Sequence, residues 1–225
     1  MKDITKLAKK YKFDTNSFDI SKNEYYTFCN TINNPNFSVE ASENAFKSLC
    51  KNLAQILDVA ASEINLKENA TFFVPKKLIR PPRIAFETEI SDINITLGLF
   101  RDFYLATPIN NPQNIKFMKD EFWSLLFELS TLGKFGFKEG EQPDKNMRQK
   151  HPQLFNKTGN YYKLLRNYFL FESDYALIRN LGSISVSWDN STKFDKLIPN
   201  ICNSFKLMYR INLLLWRQDN KDVKI

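Results

Sequence analysis

From residue 38 to about residue 61, apolar side chains return every three or four positions: Ala45, Leu49, Leu53, Ile56, Leu57 and Ala60. That spacing predicts an amphipathic helix with one apolar stripe, and Ser38 is placed to cap its start. A second helix is predicted over about 115–132, closed by Gly133. Phe122, Trp123, Leu125, Leu126, Phe127 and Leu129 make it apolar nearly all round, which predicts deep burial. Residues 161–175 read as a third helix. Residues 193–216 contain a fourth, in which Pro199 either sits in the first turn or breaks the segment. Shorter helices are expected near 3–11 and 21–33.

Elsewhere the period falls to two. Ile93, Ile95, Leu97 and Leu99 alternate with small or polar residues, as do Ile184, Val186 and Trp188, and residues 84–90 form a third such run. A strand with one buried face has this signature. Residues 90–104 also fit a helix, through Ile90, Ile93, Leu97, Phe100 and Tyr104. Prolines 75, 81 and 82 and the polar stretch 138–160 read as loops. The expectation is an α+β fold, predominantly α-helical with a small antiparallel β-sheet. It would be a single domain over 1–225, with lobes 1–110 and 111–225 as the alternative division.

Composition narrows the chemistry. At 225 residues and 43% apolar, the chain can build one sizeable core. No apolar run approaches the roughly 18–20 residues that span a bilayer, and no apolar stretch follows the first lysines, so a cytoplasmic protein is expected. Cys29, Cys50 and Cys202 are too far apart to suggest a disulfide framework or a zinc knuckle, and they read as core thiols. The 20 phenylalanines exceed what one core of this size obviously requires, and aromatic residues are enriched at protein interfaces.

The net charge of +7 is spread unevenly. Lys, Asn, Phe, Tyr and Ile enriched together is the mark of an AT-rich coding sequence, so the charge alone does not point to nucleic acid. The exceptions are the lysine-rich start and the segment 75–83; the latter holds Lys76, Lys77, Arg80 and Arg83 and no acid. Pinned by proline, it reads as an exposed basic loop that docks a partner, either an acidic protein surface or a phosphate backbone.

Catalytic groups are scarce. His151 lies in a charged loop near Glu141 and Asp144 and reads as a surface residue; Glu139, Glu141 and Asp144 read as a solvated acidic loop. Glu87 and Glu89, with Lys76 and Lys77 nearby, faintly resemble a metal-dependent nuclease, but in the wrong order and spacing. Arg166-Asn167 and Arg179-Asn180 resemble half of the motif of helical HEPN-type RNases. No histidine follows at the required interval, so the general acid or base is missing. No catalytic residue, metal or cofactor is expected.

Several short motifs follow one another in an order that resembles a known family. Phe46-Lys47-Ser48-Leu49 opens in an amphipathic helix, and Arg83-Ile84-Ala85-Phe86 follows the basic loop. Ile95-Thr96-Leu97-Gly98-Leu99-Phe100 and Leu164-Leu165-Arg166-Asn167-Tyr168-Phe169 come next. Val186-Ser187-Trp188-Asp189, Lys193-Phe194 and Leu197-Ile198-Pro199 complete the series. Together they resemble a shortened TssG protein, the small wedge subunit of type VI secretion baseplates. Arg101 stands where that family has Gly, and its proline-leucine-proline turn is absent. The resemblance implies a non-enzymatic structural subunit of a hetero-oligomer, packed against a larger wedge partner. The alternative is a nucleic-acid-binding or catalytically incomplete HEPN-like protein.

Overall fold

The computed structural model describes residues 39–75, 82–139, 160–173 and 181–223, with residues 16, 19, 20, 22–24, 26 and 27 of a helical stretch before them. The predicted first helix is α1 (Val39–Ser62). It is followed by strands β1 (Ala70–Phe73), β2 (Arg83–Thr88), β3 (Asn94–Leu99) and β4 (Phe103–Pro108). Next come a short 3-10 helix (Pro112–Phe117), α2 (Asp120–Thr131) and β5 (Lys134–Glu139). The described chain ends with α3 (Asn160–Ser173), β6 (Gly182–Trp188) and α4 (Phe194–Asp219).

The expectation of a predominantly helical protein with a small sheet is overturned. The six strands form one antiparallel sheet in the order β1-β2-β3-β4-β6-β5, and it is a full layer of the molecule. Three of these strands carry no clear period of two in the sequence, for different reasons. β1 is only four residues long and mostly exposed. β4 opens with the aromatic pair Phe103-Tyr104, which masks its alternation, and β5 lies directly behind the apolar helix α2. Residues 90–104 form a hairpin, because Leu97 pairs with Leu105 and Leu99 with Phe103. Strands from either side of residue 110 share the sheet, with Phe103 opposite Trp188 and Leu105 opposite Val186.

Register gives the sheet two unlike faces. Ile84, Phe86, Ile95, Leu97, Leu99, Phe103, Leu105, Ile184, Val186, Phe135 and Phe137 fall on one face, and all are buried. The helices pack on that face: Phe205 of α4 meets Phe86 edge-on at 5.0 Å, and Tyr161 of α3 stacks on Phe135 at 4.6 Å. Leu49, Leu53, Ile56, Leu57 and Ala60 bring the stripe of α1 into the same core. The opposite face carries small and polar residues, among them Ala85, Thr96, Ala106, Ser185 and Gly136 in one line across the strands. A side chain on Gly98 would collide with the Tyr104 ring, whose atoms lie 2.4 Å from where its Cβ would be.

Polar side chains fix the joints. The Glu68 carboxylate accepts the backbone N–H groups of Ile90 and Ser91, each at 2.9 Å, and so holds the β2–β3 turn, in which Asp92 takes a left-handed φ of 52°. Asn114, 2% exposed in the 3-10 helix, donates to the Leu215 carbonyl at 2.9 Å and to Asp219 at 2.8 Å, tying that helix to the end of α4. Pro199 lies inside α4, which runs through it. A proline six residues in lacks one intrahelical N–H, and the flanking turns supply the remaining bonds.

The predicted helix over 115–132 divides instead. The 3-10 helix ends at Met118 with extended backbone, ψ 135°, and Lys119 is extended too, so α2 starts only at Asp120. Deep burial of the whole helix is also overturned. Phe122, Leu126 and Leu129 face the core, whereas Trp123 and Phe127 are exposed. The expected helix near 3–11 lies outside the described residues.

Candidate interaction surface

Arg83 is the one member of the predicted basic docking loop within the described residues; Lys76, Lys77 and Arg80 lie outside them. Arg83 starts β2, exposed on the polar sheet face, in register with Gly98 and next to Tyr104. Burial raises the Tyr104 phenol above its ordinary value, and the Arg83 guanidinium draws it back. Pro75 after β1 and Pro82 before β2 are both buried.

The residues weighed for catalysis are dispersed. His151, Glu141, Asp144, Arg179, Asn180 and Cys29 lie outside the described residues, and Glu139 ends β5. Glu87 and Glu89 do not form a carboxylate pair on one strand: β2 ends at Thr88, Glu87 accepts from Asn94 and Glu89 from Asn69. Arg166 directs two of its nitrogens at Asn167 Oδ1, at 3.2 and 2.8 Å, and Asn167 is fully buried on the core side of α3. That pair stands on a helix packed against β5 of the sheet. Burial pushes the thiols of Cys50 and Cys202 up to about 12, with the Glu63 charge adding to the effect at Cys202. Among the described residues no three His, Cys, Asp or Glu side chains gather as a metal-holding group.

What the geometry does bring forward is apolar surface. Phe127 is 69% exposed and Trp123 37% exposed, one turn apart on α2. They lie about 100° round the helix from the centre of the buried stripe Phe122, Leu126 and Leu129, so α2 carries a second apolar face beside the one used internally. Trp123 is braced edge-on by Phe122 at 5.1 Å, which limits its rotamers before any contact is made. Phe117, Phe100 and Phe169 are also exposed, as are Phe73 and Val74 at the outer edge of β1. The all-round apolar pattern of α2 carried this signal, because a helix buried on one side only cannot hide every aromatic residue. No helix among the described residues is long and apolar enough to cross a membrane.

Comparison with protein-family models, with curated proteins and with solved structures finds no match to this chain.

Proposed function

We propose that this chain is a non-enzymatic assembly subunit, held in a larger protein complex by exposed aromatic side chains. The observation that carries the reading is the outer face of α2, where Trp123 and Phe127 project one turn apart from a rigid helix, flanked by Glu121, Ser124 and Glu128. Aromatic anchors with a polar rim are what protein interfaces concentrate their binding energy in. A helix presenting two such residues four positions apart suits docking into an apolar groove.

The resemblance to the TssG family supports a finer form: a baseplate wedge component of a contractile, type VI-like secretion machine, working on the cytoplasmic side. The residues that carry the resemblance fall on α1, β2, β3, α3, β6 and the first turns of α4, all contributing to one core. The basic segment around Lys76, Lys77, Arg80 and Arg83 would then set orientation against an acidic partner surface.

The test is recovery of the tagged full chain from its native host, with proteins quantified by mass spectrometry. Specific protein partners in constant ratio are expected, and Phe127→Ser should release them while leaving the melting temperature within about 2 °C, since that side chain is 69% exposed. Recovery of nucleic acid that is released by salt, without stoichiometric protein, would replace this reading with the phosphate-binding alternative.

A further inference from the structure

We infer that the edge of β1, with which no strand among the described residues pairs, joins the same edge of a second copy of this chain, so that two sheets become one across a twofold axis. The inference stands apart from the assembly reading above. It starts from the unlike treatment of the two sheet edges. At β5 the edge carries Lys134 and Lys138, both exposed, and α2 and α3 pack against the strand. Charged side chains and a covering element are how sheets prevent unwanted pairing. At β1 the edge reads Ala70-Thr71-Phe72-Phe73-Val74, with no charge, and Phe73 and Val74 are 62% and 42% exposed.

Backbone parity shows what that edge offers. Asn69 O accepts from Glu89 N at 3.1 Å, and β1 pairs with β2 in the register Thr71 with Glu87 and Phe73 with Ala85. Ladder bonds in an antiparallel pair join directly opposite residues and alternate along the strand. The N–H and C=O groups of 69, 71 and 73 therefore point to β2, and those of Ala70, Phe72 and Val74 point outward. A twofold axis at Phe72 sets Phe72 opposite its own copy and Ala70 opposite Val74 of the second copy. Every outward residue then meets an outward residue, and each opposed pair exchanges two bonds. Thr71 and Phe73 of the second copy meet on the polar face, and the two Phe72 rings meet on the core side, each beside a Phe86 at 5.6 Å.

Charge picks the second copy as the occupant. The N-terminal end of β1 is flanked by Glu68, Glu87 and Glu89, and Arg83 stands beside its C-terminal end. An antiparallel twofold brings the acidic end of each copy beside the basic end of the other, and a parallel arrangement would oppose like charges. A self-complementary patch is what a twofold interface requires. The edge is short, so the buried area falls below that of a standard interface and the dissociation constant is expected in the micromolar range, roughly 1–100 μM.

Sedimentation equilibrium of the full chain from about 1 to 200 μM tests this, with amide exchange read residue by residue. Mass should rise from 26.4 kDa toward twice that value, with the Phe72 and Val74 amides gaining protection together. Val74→Pro removes one outward donor and no bond to β2, and Phe73→Asp sets a negative charge against the acidic end of the other copy. Each should weaken association at least tenfold. Raising salt from about 50 to 500 mM should weaken it severalfold. Phe127→Lys, on α2, should leave it unchanged. A wild-type chain that stays monomeric at 200 μM overturns the inference, as does a dimer that survives both edge variants. So does protection of Phe72 and Val74 that appears only when a different protein is bound. If Val74→Pro unfolds, Phe73→Asp decides, since the Phe73 side chain is 62% exposed on the polar face.

Discussion

Replacing Asn212 by Leu exchanges a buried polar side chain for an apolar one, yet it should destabilise the fold by about 2–3 kcal/mol. Asn212 is 1% exposed in the middle of α4 and uses both ends of its amide. Its Oδ1 accepts the Asn110 backbone N–H at 3.2 Å. Its Nδ2 donates to Thr107 Oγ1 at 2.9 Å and to the Met208 carbonyl at 3.3 Å. Thr107 in turn donates to the Asn94 carbonyl at 2.6 Å, so one side chain links α4 to β4 and, through it, to β3. Each of the two bonds leaving the helix is worth a net ~1 kcal/mol, and stranding the Asn110 N–H adds about 1–3 kcal/mol. A buried leucine returns only about 1–2 kcal/mol against that loss. Urea unfolding followed by tryptophan fluorescence should show the midpoint falling by about 1 M at an unchanged slope of roughly 2–3 kcal/mol/M. Adding Thr107→Val should lower stability by a further ~1 kcal/mol, because it also strands the Asn94 carbonyl to which the Thr107 hydroxyl donates. An Asn212→Leu midpoint at or above wild type would refute the reasoning and show that apolar burial alone governs this joint.

Gly133→Ala should cost about 1–3 kcal/mol, because the new Cβ would lie 2.6 Å from Val186 Cγ1 and Trp188 Nε1 and 2.9 Å from the Ser187 carbonyl; a melting temperature equal to wild type would contradict that crowding. Tyr209, Cys50 and Cys202 all have folded values raised to about 12, from 10.0 for the phenol and 9.0 for the thiols, with burial the leading cause. Their neutral forms are favoured in the fold, so that contribution is whole below pH 9 and is lost as pH rises from about 9 to 12. Urea midpoints that stay level from pH 8 to 11.5 would count against it. The same burial predicts that Cys50 and Cys202 resist a thiol reagent at pH 8 until denaturant is added, and rapid native labelling of either would refute it. Arg210→Met should shift stability by no more than about 0.5 kcal/mol although its guanidinium holds Glu121 through two nitrogens, because both side chains are about half exposed; a loss above 2 kcal/mol would disprove this.

The α1 stripe, the alternation of β2, β3 and β6, and the start of α4 were all legible as periodicity, because each of these elements buries one face against a single core. α2 shows where that logic stops. Its sequence is apolar on every side, and periodicity cannot tell a helix buried all round from one that keeps a second apolar face for contact. The basic segment was legible as composition alone: three of its four cations lie outside the described residues, and Arg83 proves to be a strand residue next to Tyr104. The exposed edge of β1 left almost no trace, since a four-residue strand is too short to establish a period.

By itself the sequence determined which segments have an apolar face, that Cys50 and Cys202 sit among apolar neighbours, and that no histidine follows Arg166 or Arg179 at the interval an RNase of the HEPN type needs. Those are local properties, carried by spacing and residue type. Only the tertiary structure decided that six strands join one sheet, that β6 is inserted between β4 and β5, and that the two edges differ. It also decided that Trp123 and Phe127 are left outside. Strand order and exposure depend on contacts between residues far apart in the chain, such as Phe103 with Trp188 and Phe86 with Phe205, and no local period encodes them.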